Sequence, residues 1–398
     1  MVTKIKVLRI ITRLNVGGPA IHTALLTEGL DKNRFESLLV CGTVSPEEGD
    51  MAYYASQKGV RPLCIAQLRR ALNPLNDLIA FIKILGIIKR EKPDIIHTHT
   101  AKAGTLGRLA GIVYNCERKL LRFACGGTRN DAIRLIHTFH GHIFEGYFNK
   151  FIAGVFIVIE RILACFSSKI ITVSEGVKRE LIELGICNSN KIKVIPLGLE
   201  LDKFLEIVPG NDEKNINIGI VGRLVPVKNH HLFLEAVGRV LYVVRNNELK
   251  GNSCKLNFKI IGDGELRGML EEYAQKLKVS DCVEFVGWQR DLIKVYSELD
   301  IVCLTSLNEG TPVSLIEAMA SGKAVIATDV GGVRDLLGQD RGIVVESHNV
   351  GAFVTALLSL LADINLRERL GKGAREFVRE RFTKQRLLKD IEELYLNI

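Results

Sequence analysis

The chain has 398 residues, 47% hydrophobic and 25% charged, with 36 Gly and 9 Pro, a balance that excludes a disordered or fibrous protein and suits two domains. Its net charge of +9 sits in residues 1 to 210, where 29 Lys and Arg face 19 Asp and Glu. No basic stripe interleaved with aromatics and no helix-turn-helix or zinc-finger spacing goes with that charge, so phosphorylated substrates or an anionic membrane surface are the candidate partners, and nucleic acid is not.

In chain order, KIKVLRII (residues 4–11) reads as a strand. Basic residues puncture this apolar start and a glycine turn ends it, so it lacks a signal-peptide core and a cytoplasmic location is expected. Gly17 and Gly18 (NVGGPAIHTALL) close the strand before a helix. Such a loop lets backbone approach a ligand, although helix-start turns use glycine routinely. ESLLVC (36–41), a helix over 74–90 and DIIHTH (94–99) follow. Residues Asn115 to Asp131 break the rhythm and read as a basic surface insertion ahead of the strand RLIHTF (134–139). His140 ends that strand, within HTFHGH. The apolar run 151–166 (FIAGVFIVIERILACF) is interrupted by Glu160 and Arg161 before the ~20 residues of a membrane span. It is either a buried core helix or one that dips into a membrane surface. KIITVS (169–174) and KIKVIP (191–196) complete the series.

The polar stretch 206–215 (EIVPGNDEKN) reads as a linker. A second series follows: INIGIVG (216–222), LNFKIIG (256–262), CVEFVG (282–287), DIVCLT (300–305), AVIAT (324–328) and GIVV (342–345). Short β-branched runs alternating with helices are the pattern of a mostly parallel, doubly wound sheet. Two such series predict an α/β protein of two facing Rossmann-like domains, 1–207 and 214–380, with a C-terminal helix over 381–398 packing at the domain junction. Ligands of such sheets bind outside the carboxyl ends of the strands, here in the expected cleft between the domains.

Residues Ser306 to Gly322 (SLNEGTPVSLIEAMASG) hold Glu309 and Glu317 on either side of a helix start. Pro312 suits the first turn, and backbone N–H groups from Gly310 and Thr311 through Val313, Ser314 and Leu315 form a ready site for a diphosphate. The two carboxylates could anchor two parts of one extended ligand, a ribose among them. Taken alone, both are ordinary acids favoured by the helix dipole. Arg223 and Lys228 (GRLVPVKNHH) follow the first strand of the second series, where two cations can clamp phosphate oxygens and stabilise a leaving diphosphate. The histidines 97, 99, 137 and 142 raise the question of a metal, but no carboxylates accompany them and no Asp-x-Asp pair occurs, so no metal is expected. The 9 cysteines are scattered, with no Cys-x-x-Cys pair, which argues against a disulfide framework or structural zinc.

These motifs together resemble the family 4 retaining glycosyltransferases of the two-Rossmann-domain (GT-B) architecture: NVGGPAIHTALL, PDIIHTHTAKAGTLGRLA, IHTFHGH, VIPLGLELDKF, GIVGRLVPVKNH, IIGDGELR, VEFVGWQRDL and the Glu309 to Glu317 block. By that resemblance Glu317 binds the ribose hydroxyls, Glu309 the donor-sugar hydroxyls, Arg223 and Lys228 the diphosphate, and His140 the sugar near the reacting carbon, with Trp288 by the nucleobase. It implies a metal-independent transfer of a hexose or N-acetylhexosamine with retained configuration and no protein nucleophile. The acceptor hydroxyl would attack as the diphosphate leaves, by positioning and electrostatics. The nucleoside diphosphate sugar, with uridine diphosphate expected, is a co-substrate and no other cofactor is implied. A glycan or lipid-linked glycan at the inner membrane surface is the expected acceptor. An epimerase or hydrolase of the same fold, or a catalytically silent nucleotide-sugar binder, are the alternatives.

Overall fold

Runs of Ile, Val and Leu too short for helices, and buried on both faces, pair best as parallel strands under covering helices. The computed structural model describes residues 4–45, 49–125, 132–141, 150–210, 215–246 and 255–398. Its contacts divide it into one unit of Met1–Leu199 with Lys384–Ile398, and a second of Glu200–Thr383.

Unit 1 holds a seven-stranded sheet of β1 (Ile5–Arg13), β2 (Phe35–Gly42), β3 (Leu63–Cys64), β4 (Ile95–His99), β5 (Arg134–Phe139), β6 (Lys169–Thr172) and β7 (Ile192–Val194). Their order is β3-β2-β1-β4-β5-β6-β7, and every pair is parallel. Unit 2 holds β8 (Asn215–Val221), β9 (Lys255–Ile261), β10 (Val283–Gly287), β11 (Ile301–Leu304), β12 (Ala324–Thr328) and β13 (Ile343–Val345). These run β10-β9-β8-β11-β12-β13, again all parallel. All the strands expected from sequence are present; β3, an edge strand of two residues, was not foreseen.

One face of the unit 1 sheet packs Leu8, Ile10, Ile96 and Leu135 against the helices Pro74–Glu91 and Ala101–Cys125. The second helix lies close because its inner row is small: a Cβ added at Gly104, Gly107 or Gly111 would come within 2.7 Å of His137, Thr98 or Leu135 respectively. Asn115 to Cys125 therefore continue a helix rather than begin a surface loop. Asn115 ties that helix to the sheet by donating to the Ile133 carbonyl and accepting from its N–H. Residues 126–131 of the expected insertion lie outside the described residues.

The helix Lys150–Phe166 accommodates the two charges that interrupt its apolar run. Glu160 turns inward and receives both its hydrogen bonds, at 2.7 Å, from the fully buried Arg108 of Ala101–Cys125. Arg161 donates to the Leu184 carbonyl. Opposite Glu160, Val155, Val158, Ile162 and Phe166 are exposed, so the helix is buried on one face only.

On the other face of the unit 1 sheet, Val7, Ile95 and Ile136 pack with Leu26, Leu30 and Phe35, and with Leu387, Ile391, Leu394 and Tyr395 of the C-terminal helix Lys384–Leu396. Arg386 donates to the carbonyls of Pro196 and Leu197. This last helix completes the core of unit 1, whereas sequence suggested a place at the junction. Residues 200–207, expected in the first domain, group with unit 2, where Phe204 meets Tyr296 edge-on at 5.7 Å.

Among the described residues no single helix is long and apolar enough to cross a membrane. The pair Val350–Ala362 and Ile364–Arg381 passes that test only jointly and is bent by 103°; Phe353, Leu357, Leu360 and Leu370 place it in the core of unit 2.

Candidate functional site

Each sheet reverses its winding once, between β1 and β4 in unit 1 and between β8 and β11 in unit 2. At such a switch point the helices after the two neighbouring strands leave on opposite faces and open a crevice at the carboxyl edge. Both sets of expected site residues occupy these two edges.

In unit 2, β8 leads into Gly222-Arg223, and the chain makes a 3-10 turn, Pro226–Lys228, before the helix His230–Arg245. Lys228 is thus on the turn rather than on the helix itself. Its ammonium pairs with the Glu309 carboxylate, which also accepts from the Ser306 hydroxyl at 2.7 Å. The pair bridges the exits of β8 and β11, across the switch point. Thr305 fixes it from below by donating to the Lys228 carbonyl at 3.0 Å, and Leu307 N–H donates to Val227 at 2.8 Å. Arg223 is half-buried beside this pair in the chain.

The exit of β8 is held by that of β9. Gly222 N–H donates to Ile261 and Leu224 N–H to Asp263. Gly262 has φ of 136°, and a Cβ there would lie 2.0 Å from the Gly222 carbonyl oxygen, so only glycine allows this approach. The tight double turn presents the Gly222-Arg223 backbone at the edge.

Glu309, Gly310 and Thr311 lead into the helix Val313–Ala320, with Pro312 at its N-cap and no side chain capping it. Its first-turn N–H groups have no partner within the helix, which suits an anionic ligand. Gly310 is anchored by its carbonyl, which accepts from Gly332 N–H at 2.9 Å. Ser314 and Leu315 lie in the first turn, and the Ser314 carbonyl accepts from Tyr296 at 3.0 Å. Glu317 is buried, with Oε2 3.1 Å from the same Tyr296 hydroxyl. Burial pushes its carboxyl up to about 7, against the smaller opposing pull of that hydrogen bond. Trp288 follows Gly287 at the exit of β10, 45% exposed. Tyr296, Ser306 and Gly262 carried no expected role; only the strand order shows what they support.

In unit 1, Gly17, with φ of 153°, caps the helix Gly18–Gly29, in a backbone region that side chains avoid. At the exit of β4, Thr100 takes the left-handed conformation (φ 66°) and its hydroxyl meets that of Thr12 at 2.7 Å. His140, just past β5, sits with Nε2 3.0 Å from Nδ1 of His99. Neither His97 nor His137 hydrogen-bonds to them. His97 lies between Tyr395 and Thr138, at 2.6 and 2.7 Å, and His137 turns to the opposite face, bonded to Thr98 at 2.9 Å. His142 lies outside the described residues. The third ring beside His99 and His140 is His22, from Gly18–Gly29, with centroids 5.5 and 4.9 Å away. Sequence reasoning missed it. Burial holds His22 and His99 well below the usual histidine range and His140 down to about 3, so all three are neutral at pH 7.

Residues 203–377 match the family model described as Glycosyl transferases group 1, and residues 16–203 that of Glycosyltransferase Family 4. The chain is 28% identical over 384 residues to the UDP-Gal:alpha-D-GlcNAc-diphosphoundecaprenol alpha-1,3-galactosyltransferase of Escherichia coli, covering 93% of this chain and 91% of that one. It is 25% identical to a capsular polysaccharide biosynthesis glycosyltransferase of Staphylococcus aureus, over 83% and 84% of the two chains. Among solved structures, HepE of Anabaena in complex with UDP superposes with a TM-score of 0.78 at 17% identity, over 99% of this chain and 100% of that one, a likeness of fold.

Proposed function

The chain belongs to glycosyltransferase family 4 and has the GT-B fold, and we propose that it transfers a hexose or N-acetylhexosamine from a uridine diphosphate sugar to a lipid-diphosphate-linked glycan in surface polysaccharide assembly. The observation that carries this reading is the Lys228–Glu309 pair across the unit 2 switch point, with Arg223 just past the end of β8 and the buried Glu317 in the helix that follows Glu309. The diphosphate engages Arg223, Lys228 and the N–H groups of the Val313–Ala320 helix start. Lys228 and Ser306 hold Glu309 in one orientation, ready to accept from sugar hydroxyls, while Glu317 accepts from the ribose. His140 donates to the sugar. No group here is positioned as a nucleophile, and the reaction proceeds with retention and without metal, by placement and charge stabilisation.

The relative from Escherichia coli, by its name a galactosyltransferase acting on a diphosphoundecaprenol-linked sugar, supports the donor and acceptor class. For the membrane side, Val155, Val158, Ile162 and Phe166 form an exposed apolar row on Lys150–Phe166 in the basic half of the chain. Such a face inserts at the headgroup boundary of an anionic bilayer, on the cytoplasmic side.

A thermal-shift screen of uridine, guanosine and adenosine diphosphates, then their sugars, followed by transfer to polyprenyl-diphosphate-linked acceptors, tests the reading. Uridine diphosphate should raise the melting temperature, and Arg223→Ala and Glu317→Ala should abolish both the shift and transfer. Donor turnover without acceptor would indicate a hydrolase or epimerase instead, and unchanged transfer in both variants would refute the site.

A further inference from the structure

Three imidazoles at the carboxyl edge of unit 1 have more hydrogen-bonding capacity than their surroundings use. Neither nitrogen of His22 has a partner among the described residues, and the same is true of His99 Nε2 and His140 Nδ1. Leaving a buried polar group unsatisfied costs about 1–3 kcal/mol, so His22, both of whose nitrogens lack a partner beside two further rings, calls for a ligand rather than for packing alone. One ring nitrogen from each of His22, His99 and His140 lies within 4.8 Å of the other two, and His99 Nδ1 and His140 Nε2 are 3.0 Å apart.

We propose that His22, His99 and His140 bind one divalent cation of the zinc class, with a fourth position left to solvent. Tetrahedral coordination with metal–nitrogen bonds of about 2.0–2.1 Å sets the nitrogens roughly 3.3 Å apart, so the rings need shifts on the order of 1 Å. Imidazoles alone select zinc, cobalt or nickel over magnesium or calcium, which require oxygen. Ligands come from β4, from the turn after β5 and from the helix after β1, three neighbours in the strand order. His140, the least covered of the three, gives the way in.

Three features set the strength of the site. Among the described residues no carboxylate joins the three rings, and the Arg9 charge acts on His22 and His99. The outer nitrogens of His99 and His140 lack the acceptors that orient metal-bound histidines. The ion is therefore exchangeable rather than resident. Where His140 serves the donor sugar, a point that rests on the function proposed above, metal and donor compete, and zinc is a reversible inhibitor that a chelator removes.

The test is a cobalt titration of the untagged full-length protein without any substrate, followed by displacement with zinc. A visible ligand-field spectrum of low coordination number, saturating at one equivalent and lost to zinc, is expected. His22→Ala and His99→Ala should each weaken binding at least tenfold, whereas His348→Ala, exposed and in unit 2, should not. No such spectrum at millimolar cobalt, or an isotherm unaltered in folded His22→Ala, overturns the site. If either variant fails to fold, the wild-type spectrum decides. Because binding is read without donor, failure of the transferase reading leaves this result standing. Zinc bound at the triad but without effect on donor affinity would overturn the competition alone.

Discussion

Glu317 is a carboxyl group whose ligand and whose solvation pull in opposite directions. Its folded value of about 7 exceeds the ordinary 4.5, so the native state binds the proton more tightly than the unfolded chain does. The stability this gives is complete below about pH 4.5, declines as pH rises towards 7 and is constant above, a change of about 3 kcal/mol. Ribose hydroxyls, in contrast, donate to the carboxylate. Uridine diphosphate should therefore produce a larger thermal shift at about pH 8 than at about pH 6, and Glu317→Gln should lose both that difference and the stability slope. An identical pH dependence in wild type and Glu317→Gln would separate this group from nucleotide binding. Glu160 poses a simpler balance. Among the described residues it is the one charged partner of the buried Arg108 guanidinium, which otherwise donates to the Gly104 carbonyl, and Glu160→Ala strands that charge. Denaturant unfolding should show a loss of about 3–5 kcal/mol, and the pair Arg108→Met with Glu160→Leu should recover most of it, since a buried ion pair gains little over apolar side chains of similar volume.

At the scale of elements, the C-terminal helix Lys384–Leu396 couples the end of the chain to the candidate site. Arg9 donates to the Tyr395 hydroxyl, at 3.3 Å. The same hydroxyl lies 2.6 Å from His97 Nδ1, and His97 Nε2 lies 2.7 Å from the Thr138 hydroxyl. His97 lies against His99, centroids 4.2 Å apart, and His99 holds His140. Tyr395→Phe should lower the melting temperature of unit 1 by several degrees, from the loss of about 1–3 kcal/mol, and should lower kcat more than it raises KM. Ending the chain after Thr383 removes Leu387, Ile391, Leu394 and Tyr395 from the core, about 1.5–3 kcal/mol for each. That approaches the whole stability of a domain, and such a protein should be insoluble. The helix was legible in the sequence; its place was not, because an amphipathic pattern reveals that one face is apolar and not which surface meets it. The strands were legible because β-branched runs have few other uses, and two-residue β3 has no such run. Asn115 to Cys125 looked like loop because Glu117, Arg118 and Lys119 obscured the helical period. The strand exits that carry Arg223, Lys228 and Glu309, and the helix that carries Glu317, were legible because each follows a β-branched run. His22 was not, because only the order β1-β4-β5 brings it to His99 and His140.

Across the whole molecule, the buried titratable groups of the two units respond differently to acid. In unit 1, burial lowers the values of His22, His97, His99, His137 and His140 below the ordinary 6.5. The native state keeps these rings neutral while the unfolded chain takes up protons, so their contribution is complete above about pH 6.5 and is lost as pH falls. Each can remove up to about 1.4 kcal/mol per pH unit below that point, and five together about 7, comparable to the total stability of a domain. The growing positive charge of the basic half works in the same direction. In unit 2, His230, lowered to about 3 by burial, has the same sign, but Glu317 gains stability over the range from about pH 7 down to 4.5 and largely offsets it. Mild acid should therefore unfold unit 1 first. Calorimetry at about pH 5 should resolve two transitions, with hydrogen exchange faster in β1, β4, β5 and the C-terminal helix than in β8, β11 and β12. Near neutral pH the separation should narrow. A single transition at about pH 5, or earlier opening of unit 2, would mean that the histidines are protonated in the folded chain, and that the edge carrying His22, His99 and His140 is a cationic surface instead of a neutral one.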